Sequence, residues 1–205
     1  MSNQVRGIIL EGQSCSGKTS IFNAIKRHHF IEKDAERNVI YLSEQYSQTL
    51  NLINGELKNL SQEENLRVLS DRISMLEQLN HYASCMGEHS RCSRGLFYVF
   101  ERFHLNYAFS FNDVDSYEYL QLEKRLSNLN AKVVLCTISS EKTEPRLRHR
   151  SHYTKEEVTQ ESIDQYIARQ QQLINIAEKS SLPTMIINTD NLIWDSYADM
   201  ILNSI

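Results

Sequence analysis

Residues 12–19 read GQSCSGKT and fit the spacing G-x-x-x-x-G-K-[ST]. Glycines at that spacing let successive backbone N–H groups turn inward around a phosphate. The loop then feeds a helix whose unpaired N–H groups and dipole favour anions. Gly12, Ser14, Cys15, Ser16, Gly17, Lys18, Thr19 and Ser20 are therefore the candidate anion-binding residues. Lys18 can reach β- and γ-phosphate oxygens, and the Thr19 hydroxyl is a candidate Mg²⁺ ligand. Cys15 sits within the cradle, where a thiolate is favoured.

Such a loop needs a strand before it and a helix after it. An apolar run covers 7–10, and 19–28 reads as a helix with Ile21, Phe22 and Ile25 on one face. Further strand-like runs fall at 39–42, 96–100, 133–138 and 184–187, between helical patterns at 62–86, 115–129, 156–180 and 192–203. This alternation predicts an α/β fold: a parallel sheet with helices on both faces, in three α/β/α layers. The chain has two prolines, no repeat and no linker-like stretch, so 1–205 reads as one domain.

Ligands of open α/β sheets gather at the carboxyl ends of the strands. One run there ends in Glu101 and Arg102. A carboxylate at that tip can hold a metal through water, and the guanidinium can bind an anionic oxygen. Another ends near Glu44, the candidate general base for a hydroxyl that must lose its proton as it attacks. No Arg or Lys lies between Asn38 and Glu56, which favours a hydroxyl acceptor over a phosphate. The polar segment 139–155 carries Arg146, Arg148 and Arg150 and reads as a mobile lid. Arg146 and Arg150 share a face if it is helical, where guanidinium groups can close over a transferring phosphate.

Other residues read as scaffold. Phe103, Tyr107, Phe109 and Phe111 fit core packing better than stacking on a ring. Tyr41 and Tyr46 flank the Glu44 loop as candidate walls. Asp190 reads as the N-cap of the last helix.

Net charge −4 and pI near 6.0 exclude a broadly basic nucleic-acid binder. No apolar run is long enough to span a membrane, the N-terminus lacks a signal-peptide core, and Cys15, Cys85, Cys92 and Cys136 form no CxxC pair. The expected setting is cytoplasmic, with free thiols. Neither NKxD nor DxxG occurs, which disfavours a GTPase.

Taken in order, the phosphate loop, Glu44, Glu101–Arg102 and the arginine-bearing segment resemble the P-loop deoxynucleoside kinases and thymidylate kinases. ERFHLNYAF at 101–109 is similar to the "ERS…F" and "DRY…S…AY" segments of those families, and MLEQLNHY at 75–82 resembles the helix whose glutamine pairs with the base. The resemblance implies a P-loop NTPase fold with a five-stranded parallel sheet, ATP and Mg²⁺ as cofactors, and a homodimer. It makes Gln78, with Glu44 and Arg102, substrate-binding, and brings 188–191 near adenine. The implied activity is phosphoryl transfer to a hydroxyl, foremost of a (deoxy)nucleoside, with a nucleoside monophosphate kinase or a non-catalytic nucleotide-binding regulator as alternatives. Gln45 stands where these kinases carry a proline, Phe103 where they carry a serine, and the thymidylate kinases' arginine near the second strand end is missing. Antibiotic-like hydroxyls stay open as acceptors.

Overall fold

The computed structural model describes residues 5–32, 38–44, 50–86, 96–155 and 157–205. Five strands form one parallel sheet: β1 (Arg6–Glu11), β2 (Val39–Leu42), β5 (Phe97–Glu101), β6 (Ala131–Thr137) and β7 (Thr184–Asn188). Their order is β2-β5-β1-β6-β7, so β1, which leads into the glycine loop, is central. All four pairings are parallel. Every residue of β5 is buried, and so is every residue of β1 after Arg6, because helices cover both faces.

Side-chain alternation divides the core. Ile8, Leu10, Val99, Val134 and Cys136 point to the face covered by α1 (Lys18–Ile31) and α7 (Trp194–Leu202). Ile9, Tyr98, Phe100, Val133 and Leu135 point to the opposite face. There they meet α2 (Gln62–Met86), α3 (His104–Phe111), α4 (Tyr117–Asn128) and α6 (Gln160–Lys179). Arg125 of α4 grips Glu77 of α2 with two parallel bonds of 2.8 and 2.7 Å and also donates to Ser70 and Ser74. This bidentate geometry fixes how the two helices sit against each other.

Three elements add to the sequence expectation. A hairpin of β3 (Leu50–Ile53) and β4 (Glu56–Asn59) turns at Asn54 and Gly55. That dipeptide is a strong two-residue turn signal, but the strands are too short and polar to stand out. The aromatic stretch after Arg102 is helix α3, with Phe103 and Tyr107 at most 1% exposed. The rings of Phe103 and Phe100 lie 5.0 Å apart, so Phe103 serves the core and has no face for a ligand. The polar arginine-bearing segment is a continuous helix, α5 (Ser140–Thr154), with Pro145 inside it. The remaining helices begin and end within a few residues of expectation.

Asp190 does not cap the last helix. Ile193 takes that position, and Asp190 instead accepts from the Ser139 N–H at 3.0 Å, at the head of α5. Gln45, Tyr46 and Cys92 lie outside the described residues. Among the described residues no helix is long and apolar enough to cross a membrane.

Candidate active site

The loop at the end of β1 is shaped by its glycines. Gly12 has φ +137, and a Cβ there would lie 2.4 Å from the Cys136 carbonyl oxygen. Gly17 has φ +87, and a Cβ there would lie 2.5 Å from the Trp194 ring. Neither position accepts a side chain without moving its neighbour. Cys15 adopts φ +67 between them. Gly17 is also the N-cap of α1, and it offers no side chain to the helix amides. The first turn therefore keeps N–H groups available to an anion.

Lys18 is 4% exposed and donates to the Gln13 carbonyl at 2.8 Å. Burial lowers its pKa to about 8, helped by the charge of Arg102 and opposed by Cys136, Glu101 and Glu44. Thr19 donates its hydroxyl to Glu101 at 2.5 Å, joining the helix start to the tip of β5. Glu101 is 1% exposed, whereas Thr19 lies open to solvent. A hydroxyl and a carboxylate, both hard oxygen donors, are the ligand types Mg²⁺ prefers.

Arg102 connects the parts of the site. Its Nε donates to Glu44 at 2.8 Å, Nη1 to Asn106 at 3.2 Å and Nη2 to Ser14 of the loop at 3.1 Å. The strand-end carboxylate and the phosphate loop are thus joined through one guanidinium. On the other side stands α5. Arg146 donates to the Cys15 carbonyl at 3.4 Å and to the Thr189 carbonyl at 2.6 Å, with its guanidinium 5.6 Å from the Trp194 ring. Arg150 lies 3.9 Å from the Cys15 sulfur. Arg148 faces away and pairs with Glu144.

No family model matches the sequence, and no curated protein does. Solved structures do. The YorR protein from Bacillus subtilis, in complex with phosphorylated GDP, aligns with a TM-score of 0.58 at 16% identity, covering 97% of this chain and 94% of that one. The likeness is one of overall fold. A deoxyadenosine kinase from M. mycoides, with dCMP and dCDP bound, aligns over 97% of both chains at 13% identity. Its TM-score is 0.44.

Within this α/β fold, Lys18, Thr19, Glu44, Glu101, Arg102, Arg146 and Arg150 all come to one end of the sheet. Gln78 does not join them through any described contact. It is exposed on α2, off the Leu69, Ile73 and Leu76 stripe that meets the core. Of four further residues of the site, only Thr189, in the 188–191 loop, falls where the resemblance pointed. Thr189 donates to the Ser16 carbonyl at 2.9 Å, and Trp194 packs on Gly17. Neither contact leaves a local trace in the sequence. Asn106 stands four residues after Arg102, one helical turn on, which is a readable signal.

Glu11, the fourth, ends an apolar strand in an acid, the same signal that marks Glu101. It is 1% exposed, and burial raises its carboxyl to about 7, against hydrogen bonds from the Phe103 and Leu105 amides and the Arg102 charge. Between pH 4.5 and 7 the unfolded chain releases this proton and the folded chain keeps it. Stability therefore falls as pH rises through that window, by up to about 3 kcal/mol. Glu11→Gln should melt progressively higher than the native chain as pH goes from 5 to 8, by about 5 °C or more at the upper end. Parallel melting curves for the two proteins across that range would refute this.

Proposed function

We propose that the chain is an ATP- and Mg²⁺-dependent phosphotransferase that moves the γ-phosphate to a hydroxyl of a small molecule, foremost a (deoxy)nucleoside. The observation that carries this reading is the Arg102 bridge. It holds the Glu44 carboxylate in register with Ser14 of the phosphate loop. A base kept beside a phosphate cradle suits an acceptor that must lose a proton while it attacks.

Each residue then has a role. The loop amides and Lys18 hold the donor's phosphates. Thr19 and Glu101 would hold Mg²⁺, which supplies charge neutralisation on the phosphate oxygens. Glu44 takes the acceptor's proton, and Arg102 binds the oxygens on the acceptor side. Arg146 and Arg150 lie over the loop, where positive charge offsets the charge spread across the moving group. The setting is cytoplasmic and the acceptor is a free small molecule.

Lys18 gives this reading a pH signature. The free protein loses the Lys18 charge above pH about 8, because its pKa is depressed by burial. Affinity for a fluorescent ATP analogue should therefore weaken as pH climbs from 8 to 9.5. Constant affinity over that interval would remove Lys18 as the phosphate-binding charge.

The direct test supplies γ-labelled ATP and Mg²⁺ with a panel of nucleosides, nucleoside monophosphates and hydroxyl-bearing antibiotics. Label on thymidine or another nucleoside is the expected result. Label on dTMP alone would replace this reading with a monophosphate kinase. Tight ATP binding with no labelled acceptor would replace it with a nucleotide-binding regulator.

A further inference from the structure

We propose that Glu11 is a positioning residue for Arg102: from beneath the site it fixes the backbone corner that presents the guanidinium to Glu44 and Ser14. This rests on the phosphotransferase reading, which makes Arg102 the residue facing the acceptor.

The corner is unusual. Arg102 adopts φ +57, in the left-handed region that a residue with a side chain enters at a cost. Phe103 follows at φ −150 and ψ −120. A positive φ at a residue with a side chain persists only where the surroundings over-determine it, and such residues cluster at functional sites. Three bonds do so here. The Arg102 N–H donates to the Leu10 carbonyl at 2.9 Å, extending the β1–β5 ladder one step past its last pair. The Phe103 and Leu105 N–H groups donate to Glu11 Oε1 at 2.8 and 3.1 Å.

Those two amides belong to the start of α3, which has no side-chain cap of its own. The first N–H groups of a helix have no partner within it. Glu11 takes the place of the missing cap from a different element, 92 residues away from Phe103 in the chain. Asn106, next in the chain after Leu105, is the residue that receives Arg102 Nη1. Stability alone does not account for a carboxyl here, because burial disfavours its ionised form. Glu11 also leads directly into Gly12. One side chain therefore ties the origin of the phosphate loop to the corner that carries Glu101 and Arg102.

The test compares Glu11→Leu and Glu11→Gln, each alone and with Arg102→Ala. Glu11→Leu removes the acceptor oxygens at similar bulk, and it should lower kcat by about 10²-fold through misplacement of Arg102. The affinity for a fluorescent ATP analogue should stay within about threefold, because the loop's own amides are untouched. Glu11→Gln keeps a carbonyl oxygen for the same amides and should lose only about fivefold. Both losses should vanish in the Arg102→Ala background. Equal losses with and without Arg102, or a parallel fall in nucleotide affinity, would overturn the proposal by showing a general structural role. Should Glu11→Leu fail to fold, the Glu11→Gln cycle alone decides by the same criterion. Amide exchange gives a readout that does not depend on turnover. Loss of protection at Phe103 and Leu105 is expected in Glu11→Leu, and unchanged protection would sink the proposal. If the native chain phosphorylates nothing, the activity reading has failed, and the exchange measurement still decides whether Glu11 sets the corner.

Discussion

Lys18→Ala should reduce phosphoryl transfer by about 10²–10³-fold or more, with the protein still folded. The ammonium is buried beside the loop and close enough to the Gln13 carbonyl to be held at 2.8 Å. In such a water-poor position a fixed charge acts on developing phosphate charge far more strongly than it could in solvent. The stability cost of the change is small. Burial already disfavours the charged form, as the depressed pKa near 8 shows, so alanine removes an unfavourable desolvation along with one hydrogen bond. A γ-phosphate transfer assay paired with thermal melting checks both halves. Transfer within tenfold of the native rate, from a protein of unchanged melting temperature, would contradict the role assigned to Lys18.

Glu44→Gln should lower kcat by about 10²–10⁴-fold if the carboxylate accepts the acceptor's proton. The substitution is informative because it leaves the geometry in place. A glutamine carbonyl oxygen can still accept from Arg102 Nε, and the guanidinium keeps its bonds to Ser14 and Asn106. The pair itself is partly open to solvent, so its loss alone moves stability by no more than about 1 kcal/mol. A large fall in kcat with little change in donor affinity is the expected pattern. Near-normal turnover would remove the general-base role, and with it the argument for a hydroxyl acceptor. The same fall in affinity as in rate would assign Glu44 to holding Arg102.

These two residues also show what is legible in the sequence. Lys18 is legible because its loop is local: strand, glycines and helix lie within 26 consecutive positions of Arg6 to Ile31. Glu44 and Glu101 are legible as acids at the ends of apolar runs, and the topology of parallel sheets gathers such ends. The choice of Arg146 and Arg150 over Arg148 follows from helical spacing alone, and α5 sets Arg148 away from the loop. Helix α3 was hidden because its start is capped by a residue from β1, so the usual local signal is absent. Asp190 was misread for the complementary reason, since it serves the head of α5 and not the helix that follows it.

The glycine loop and the layered α/β architecture were written in the sequence itself. Both rest on interactions between near neighbours: glycine backbone freedom, hydrophobic period and helix-end chemistry. The tertiary structure decided which charged groups meet. The order β2-β5-β1-β6-β7 places Glu44 and Arg102 on one side of the loop and Arg146 with Trp194 on the other. Those meetings join residues dozens of positions apart, and no local spacing encodes them. They exist only once burial of the two core faces has fixed the strand order.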